Sequence, residues 1–163
     1  MSSFHPVNPL HVILYQPEIP PNTGSVMRLC AASGTTLHLI GPLGFRLDGA
    51  GVRRAQMDYR LVKSIQRHVD WQGFQNHWQT QEGRLFGLST HGEKSYHQAR
   101  FQPGDGLLFG SEGSGLPERV REALGERLVR IPMASENRSL NLAVSVGITL
   151  YEAQRQCGFP GLA

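Results

Sequence analysis

"LLFGSEGSGLPERV", residues 107–120, is the stretch on which the fold turns. Large apolar residues run without a break into a loop of small ones, Gly110, Ser111, Gly113 and Gly115 among them, with Glu112 in their midst, and Pro117 then opens a charged segment. This reads as a buried strand, a tight loop and a helix start, because proline suits the first helical turn, where its missing N–H is not needed. The apolar run is continuous rather than alternating, as a strand covered on both faces requires. A glycine-rich loop of this kind also brings backbone N–H and C=O groups close to any ligand. As structure alone, it is a strand-to-helix turn with a glutamate near the helix N-terminus.

The same pattern recurs along the chain. Short apolar runs at 10–15 (LHVILY), 36–40 (TLHLI), 84–88 (RLFGL), 106–109 (GLLF) and 128–131 (LVRI) read as strands. Helical patterns at 23–32, 69–81, 117–124 and 140–156 lie between and after them. Strands alternating with helices argue for an α/β fold, a parallel sheet flanked by helices. With 163 residues and no internal repeat or linker, residues 1–163 read as a single domain. Most strands end in a glycine-bearing or polar loop: GPLG at 41–44, STHG at 89–92, GSEGSGLPE at 110–118 and PMASENRS at 132–139. Ligands of open α/β sheets bind beyond the carboxyl ends of the strands, so these loops are expected to share one pocket.

Composition narrows the chemistry. No stretch approaches the roughly 18 apolar residues of a membrane span, and residues 1–9 carry no secretory pattern, so a soluble, cytoplasmic protein is expected. Cys30 and Cys157 lie far apart and are expected to be free, buried thiols; the scattered histidines offer no metal motif, so catalysis without a metal is expected. The formal charge is +3, and all but Lys63 and Lys94 of the 16 basic residues are arginine, the side chain suited to bidentate phosphate contacts. The dinucleotide fingerprint G-x-G-x-x-G is missing after the first strand, and no Walker A lysine is present.

Two further segments carry polar residues beyond what structure needs. In "YQPEIPPNTGSVMRLCAASG", residues 15–34, Pro20 and Pro21 hold the chain extended, Asn22 or Thr23 caps a helix, and Arg28 follows inside it. Arg28 has no acidic residue three or four positions away, so no local ion pair accounts for it. In "RIPMASENRSLNLAVSVGI", residues 130–148, Ser139 is expected to cap a helix beginning at Leu140. That leaves Arg138 and Asn141 unexplained at the mouth of a helix apolar on nearly every side, which belongs in a core or a subunit interface.

Taken in order, "NTGSVMR", "LLFGSEGSGLPE" and "RIPMASENRSLN" resemble the three signature motifs of the SPOUT superfamily of S-adenosylmethionine-dependent RNA methyltransferases. "YQPEIPPNTG", "RRAQMDY" and "YEAQRQCGFPG" look like its short single-domain subgroup, which 2′-O-methylates the wobble nucleotide of certain leucine tRNAs. The resemblance implies a C-terminal trefoil knot and a homodimer formed through the knot region and last helix, with an active site drawing on both subunits. It also implies S-adenosylmethionine as cofactor, held by Leu88, Gly110, Ile131, Met133 and Ser139, and tRNA as partner. By the same match Arg28, Ser139 and Asn141 surround the reacting hydroxyl, and Asn22 and Glu112 shape the substrate pocket.

Two positions depart from the subgroup: Val144 stands where a second asparagine is expected, and Ser111 replaces a proline. The stretch around Val144 looks more like ribose methyltransferases acting on other tRNA sites or on ribosomal RNA. A non-catalytic RNA-binding module of the same fold is the alternative from another class. No histidine or carboxylate in the motifs is an obvious base. A guanidinium stays protonated, so Arg28 is read as a cation that binds the neighbouring phosphate and stabilises the developing alkoxide. Arg53 and Arg54 are candidates for RNA backbone contacts, or else simply solvated charges.

Overall fold

A computed structural model describes residues 8–47, 65–135 and 139–163. Seven parallel strands form one sheet: β1 (His11–Tyr15), β2 (Thr36–Ile40), β3 (Gln66–His68), β4 (Leu85–Leu88), β5 (Lys94–Ser95), β6 (Gly106–Phe109) and β7 (Leu128–Arg130). Their order across the sheet is β3-β2-β1-β6-β4-β7-β5. Among the described residues the α-helices are α1 (Pro20–Ser33), α2 (Trp71–Trp78), α3 (Glu118–Leu124) and α4 (Leu142–Gln156).

The continuous apolar runs follow from the two-sided cover. Val12 and Leu14 of β1 share a core with Val26 and Met27 of α1 and Val146 and Leu150 of α4. Ile13 and Tyr15, pointing the other way, pack with Phe74 of α2 and Val120 and Leu124 of α3. Each fully buried side chain of this size contributes roughly 1.5–3 kcal/mol. β3 and β5, which the sequence reading missed, lie at the two edges of the sheet and are polar.

Two helix starts differ from expectation. Pro20 and Pro21 lie inside α1, at its first two positions, rather than in an extended lead-in, and its N-cap is Ile19, with no side-chain cap of its own. α4 begins at Leu142, and its N-cap is Asn141 rather than Ser139: the Asn141 side chain accepts from the Val144 amide at 3.2 Å. Only one face of α4 is buried, through Leu142, Val146, Leu150 and Ala153, while Val144 is 51% exposed and Tyr151 40% exposed. Cys30 is free and buried, its thiol pushed up to about 12 by burial, whereas Cys157 is free but only half-buried.

Beneath α2 three histidines from three strands form a ladder. His11 Nδ1 lies 2.9 Å from His38 Nε2, and His38 Nδ1 lies 3.0 Å from His68 Nε2. Phe74, His77 and Trp78 of α2 close over them. Burial, reinforced by the neighbouring rings, holds His11 down at about 4 and His38 at about 3, and lowers His68. Among the described residues no cluster of His, Cys, Asp and Glu is arranged to hold a metal ion, and no helix is long and apolar enough to cross a membrane. The chain path between β7 and α4, on which the implied knot turns, includes residues 136–138, outside the described residues.

Candidate active site at the carboxyl edge of the sheet

Leu88 ends β4, Gly110 follows β6 and Ile131 follows β7, so three adjacent strands deliver their next residues to one edge. The loop after β6 folds back on itself, with Gly115 N donating to Ser111 O at 2.9 Å. Two of its glycines, Gly110 and Gly115, are required by the backbone. A Cβ on Gly110 would stand 2.2 Å from the Gly115 carbonyl carbon, and Gly115 itself has φ 68.

Glu112, at the crest of this loop, supplies the cap that α1 lacks. Its carboxylate accepts from the backbone amides of Glu18 at 3.0 Å and Ile19 at 2.7 Å, and from Asn22 Nδ2 at 3.4 Å. A negative charge at a helix N-terminus satisfies free N–H groups and opposes the helix dipole. The lock is reciprocal, since Gly113 N donates to Glu18 Oε1 at 3.2 Å. With its oxygens committed to these donors, Glu112 is a clamp and not a free base.

The clamp continues to the third segment. Asn141 Nδ2 donates to Asn22 Oδ1 at 3.0 Å while its own oxygen caps α4. All three segments singled out in the sequence thus meet through side-chain hydrogen bonds.

Beside this junction lies a cleft of about 490 Å³, within the range of small-molecule and cofactor sites. Leu88, Gly110, Ile131, Met133 and Ser139 line it, as do Asn22, Glu112 and Asn141. Arg28 does not. It is six residues beyond Asn22, about 240° around the helix, and is exposed, making no hydrogen bond or ion pair among the described residues. Arg53, Arg54 and Arg138 lie outside the described residues. The cleft also includes His91 and Arg121, which the sequence reading did not single out; Arg121 Nη1 lies 2.7 Å from His91 Nδ1. The only signal for them was the polar loop after β4.

Residues 9–151 match the SpoU rRNA Methylase family. A Polaromonas protein named tRNA (cytidine(34)-2′-O)-methyltransferase is 47% identical over 153 residues, spanning 93% of each chain. A solved structure described as giving insight into the 2-OH methylation of C/U34 on tRNA matches with a TM-score of 0.84 at 46% identity, over 91% of this chain and 96% of that one. The SpoU methyltransferase AviRb from Streptomyces viridochromogenes, solved in complex with AdoMet, matches with a TM-score of 0.76 at 30% identity, over 91% of this chain and 58% of that one.

Proposed function

The chain belongs to the SpoU rRNA methylase family, and on that premise we propose that it transfers a methyl group to the ribose 2′-OH of the wobble nucleotide of a tRNA, cytidine or uridine 34, in leucine tRNAs first of all. SpoU methyltransferases bind S-adenosylmethionine. The observation that carries the substrate is the 47% identity, over 93% of each chain, to a relative named for cytidine 34. The departures at Val144 and Ser111 leave the Glu112–Asn22–Asn141 junction intact, so the methyl-transfer site is undisturbed by them, and the choice of the wobble nucleotide over ribosomal RNA rests on the named relatives.

The cleft fits the cofactor. Its apolar walls, Leu88, Ile131 and Met133, suit a purine and a thioether-like chain, and the space a Gly110 side chain would fill is closed by backbone, so the loop can present only main-chain groups there. When bound, S-adenosylmethionine supplies a methyl group activated by its sulfonium. The protein's part is alignment. Asn22 and Asn141, fixed by Glu112, orient the sugar; the Ser139 hydroxyl holds the edge of the cleft. Positioning of this kind accounts for roughly 7–11 kcal/mol of barrier.

The cation comes from a second copy. Arg28 faces away from its own cleft, and Val144, Tyr151, Leu140 and Ile19 leave an apolar surface exposed on α4 and at the N-terminal entries of α4 and α1. A homodimer through this surface and the knotted C-terminal region covers it and carries Arg28 into the neighbouring cleft. There the guanidinium binds the adjacent phosphate and stabilises the developing alkoxide, and the proton leaves to phosphate or water. Arg53 and Arg54 add contacts to the RNA backbone. The cytoplasm, where tRNA is modified and used, is the place of action.

Nucleoside mass spectrometry of tRNA incubated with the protein and S-adenosylmethionine tests the function. 2′-O-methylcytidine or 2′-O-methyluridine in the anticodon fragment supports it. Methylation only outside the anticodon fragment, or none, overturns it.

A further inference from the structure

Across the 111–115 turn from the cleft lies a second cavity, of about 400 Å³, which the reaction above leaves unused. It sits beyond the carboxyl ends of β1, β2 and β6, at the boundary between β1 and β6 where the strand order changes direction. That is where open α/β sheets most often bind ligands. In this chain the cleft beside β4, β6 and β7 takes the cofactor role, so the switch-point crevice is left for something else.

Its walls define that ligand. Pro17, Pro42 and Pro117 offer apolar surfaces beside the nearly buried Tyr15. Gln16 has φ 44, a left-handed conformation unusual for a non-glycine residue and one that clusters at functional sites. Its amide nitrogen donates to Gly41 O at 3.4 Å, and its amide oxygen has no partner among the described residues. Glu18 likewise keeps one carboxylate oxygen uncommitted after accepting from Gly113. Free acceptors between apolar faces suit a planar ring carrying an N–H donor, and the Glu18 charge disfavours a phosphate.

We propose that this cavity receives an unpaired nucleobase bearing an exocyclic amine, adenine, cytosine or guanine, from a nucleotide flanking the one whose ribose enters the methyl-transfer cleft. Ser111, Ser114 and Gly115 line both cavities, so a single turn separates target from neighbour. Splayed, stacked and edge-read bases are the usual means of single-stranded RNA recognition. The proposal rests on the RNA reading above and adds a specificity site to it.

The test uses the full chain and a leucine-tRNA anticodon arm. Each loop adenosine is replaced in turn by purine riboside, each guanosine by inosine, and each cytidine by the pyrimidinone riboside that lacks the amine; affinity is read by fluorescence anisotropy, independently of turnover. One replacement outside position 34 is expected to weaken binding to the wild-type protein roughly tenfold. Gln16→Ala should weaken the unmodified arm similarly and no longer distinguish the replacement. Gly44→Trp, at a cavity position where a Cβ meets nothing within 4 Å, should weaken RNA binding and leave S-adenosylmethionine affinity unchanged. The proposal is overturned if no flanking replacement matters, or if the same sensitivity persists in both variants. Failure of the methylation reading registers separately, as no methyl transfer by the wild-type protein to the intact arm.

Discussion

Asn141 Nδ2 donates to Asn22 Oδ1 at 3.0 Å, tying the mouth of α4 to the first turn of α1. The direction of this bond is dictated from a distance. An ionised Glu112 can only accept, so Asn22 must turn its NH2 towards it and its oxygen towards Asn141. Asn141 must then offer its own NH2, which leaves its oxygen for the α4 cap. One carboxylate thereby sets the polarity of both amides at the cleft.

Asn141→Asp separates capping from orientation. The carboxylate still caps α4 and suits the helix N-terminus, but it places an acceptor against Asn22 Oδ1. Thermal and urea unfolding should stay within about 0.5 kcal/mol of wild type while turnover falls by up to about a hundredfold. Asn141→Ala should in addition lose about 1 kcal/mol of stability.

Glu112→Gln tests the clamp. A glutamine has one acceptor oxygen where two backbone amides now converge, at 3.0 and 2.7 Å, so one amide loses its partner. Urea unfolding should show a loss of about 1–3 kcal/mol, and kcat/KM should drop with it. The shape of the rate against pH should not change, because Glu112 transfers no proton in this account. Disappearance of a limb of that profile would make it a base instead.

Arg28 is expected to serve a neighbouring cleft, and subunit mixing measures this. Arg28→Ala and Asn141→Asp should each be nearly inactive alone. Co-assembled, they create one site with both residues intact, and activity should recover towards about a quarter of wild type if subunits assort at random. Arg28→Lys keeps the charge but not the planar fork, so it should lose most turnover with little change in cofactor affinity. No recovery in the mixture would place the arginine in its own cleft.

The histidine ladder makes the fold acid-sensitive. His11 at about 4 and His38 at about 3 bind protons less readily folded than unfolded, where about 6.5 applies. Between these values the unfolded chain takes up more protons, so this contribution to stability is fully present above about pH 6.5 and is lost as pH falls through that window. Among the described residues the ladder is faced by Phe74, His77 and Trp78, none of them an anion that would retain a proton there. Urea midpoints measured from pH 7.5 to 4.5 should fall, and fall less steeply in His38→Met. Equal slopes would remove the ladder from the account.

The sequence made legible what burial on both sides writes into it: the five apolar runs are strands, and the helical patterns at 23–32, 69–81, 117–124 and 140–156 fall on α1, α2, α3 and α4. β3 and β5 stayed hidden because an edge strand can be as polar as Gln66–His68 or Lys94–Ser95. The start of α1 was misplaced because its cap, Glu112, comes from a loop far along the chain, and local signals report only local caps. Ser139 and Asn141 are both suited to cap α4 by residue type; Asn141 makes the local bond to Val144, and the contact that holds it there, with Asn22, lies far away in the sequence. The meeting of His11, His38 and His68 depends on strand order, which spacing in one sequence does not carry.

The most direct measurement replaces the ribose of nucleotide 34 in a leucine-tRNA anticodon arm with 2′-deoxyribose and follows incorporation of labelled methyl from S-adenosylmethionine. The account predicts stoichiometric labelling of the all-ribose arm and none of the 2′-deoxy-34 arm, with both bound equally well to within about threefold. Undiminished labelling of the deoxy arm would put the methyl on another atom and contradict it.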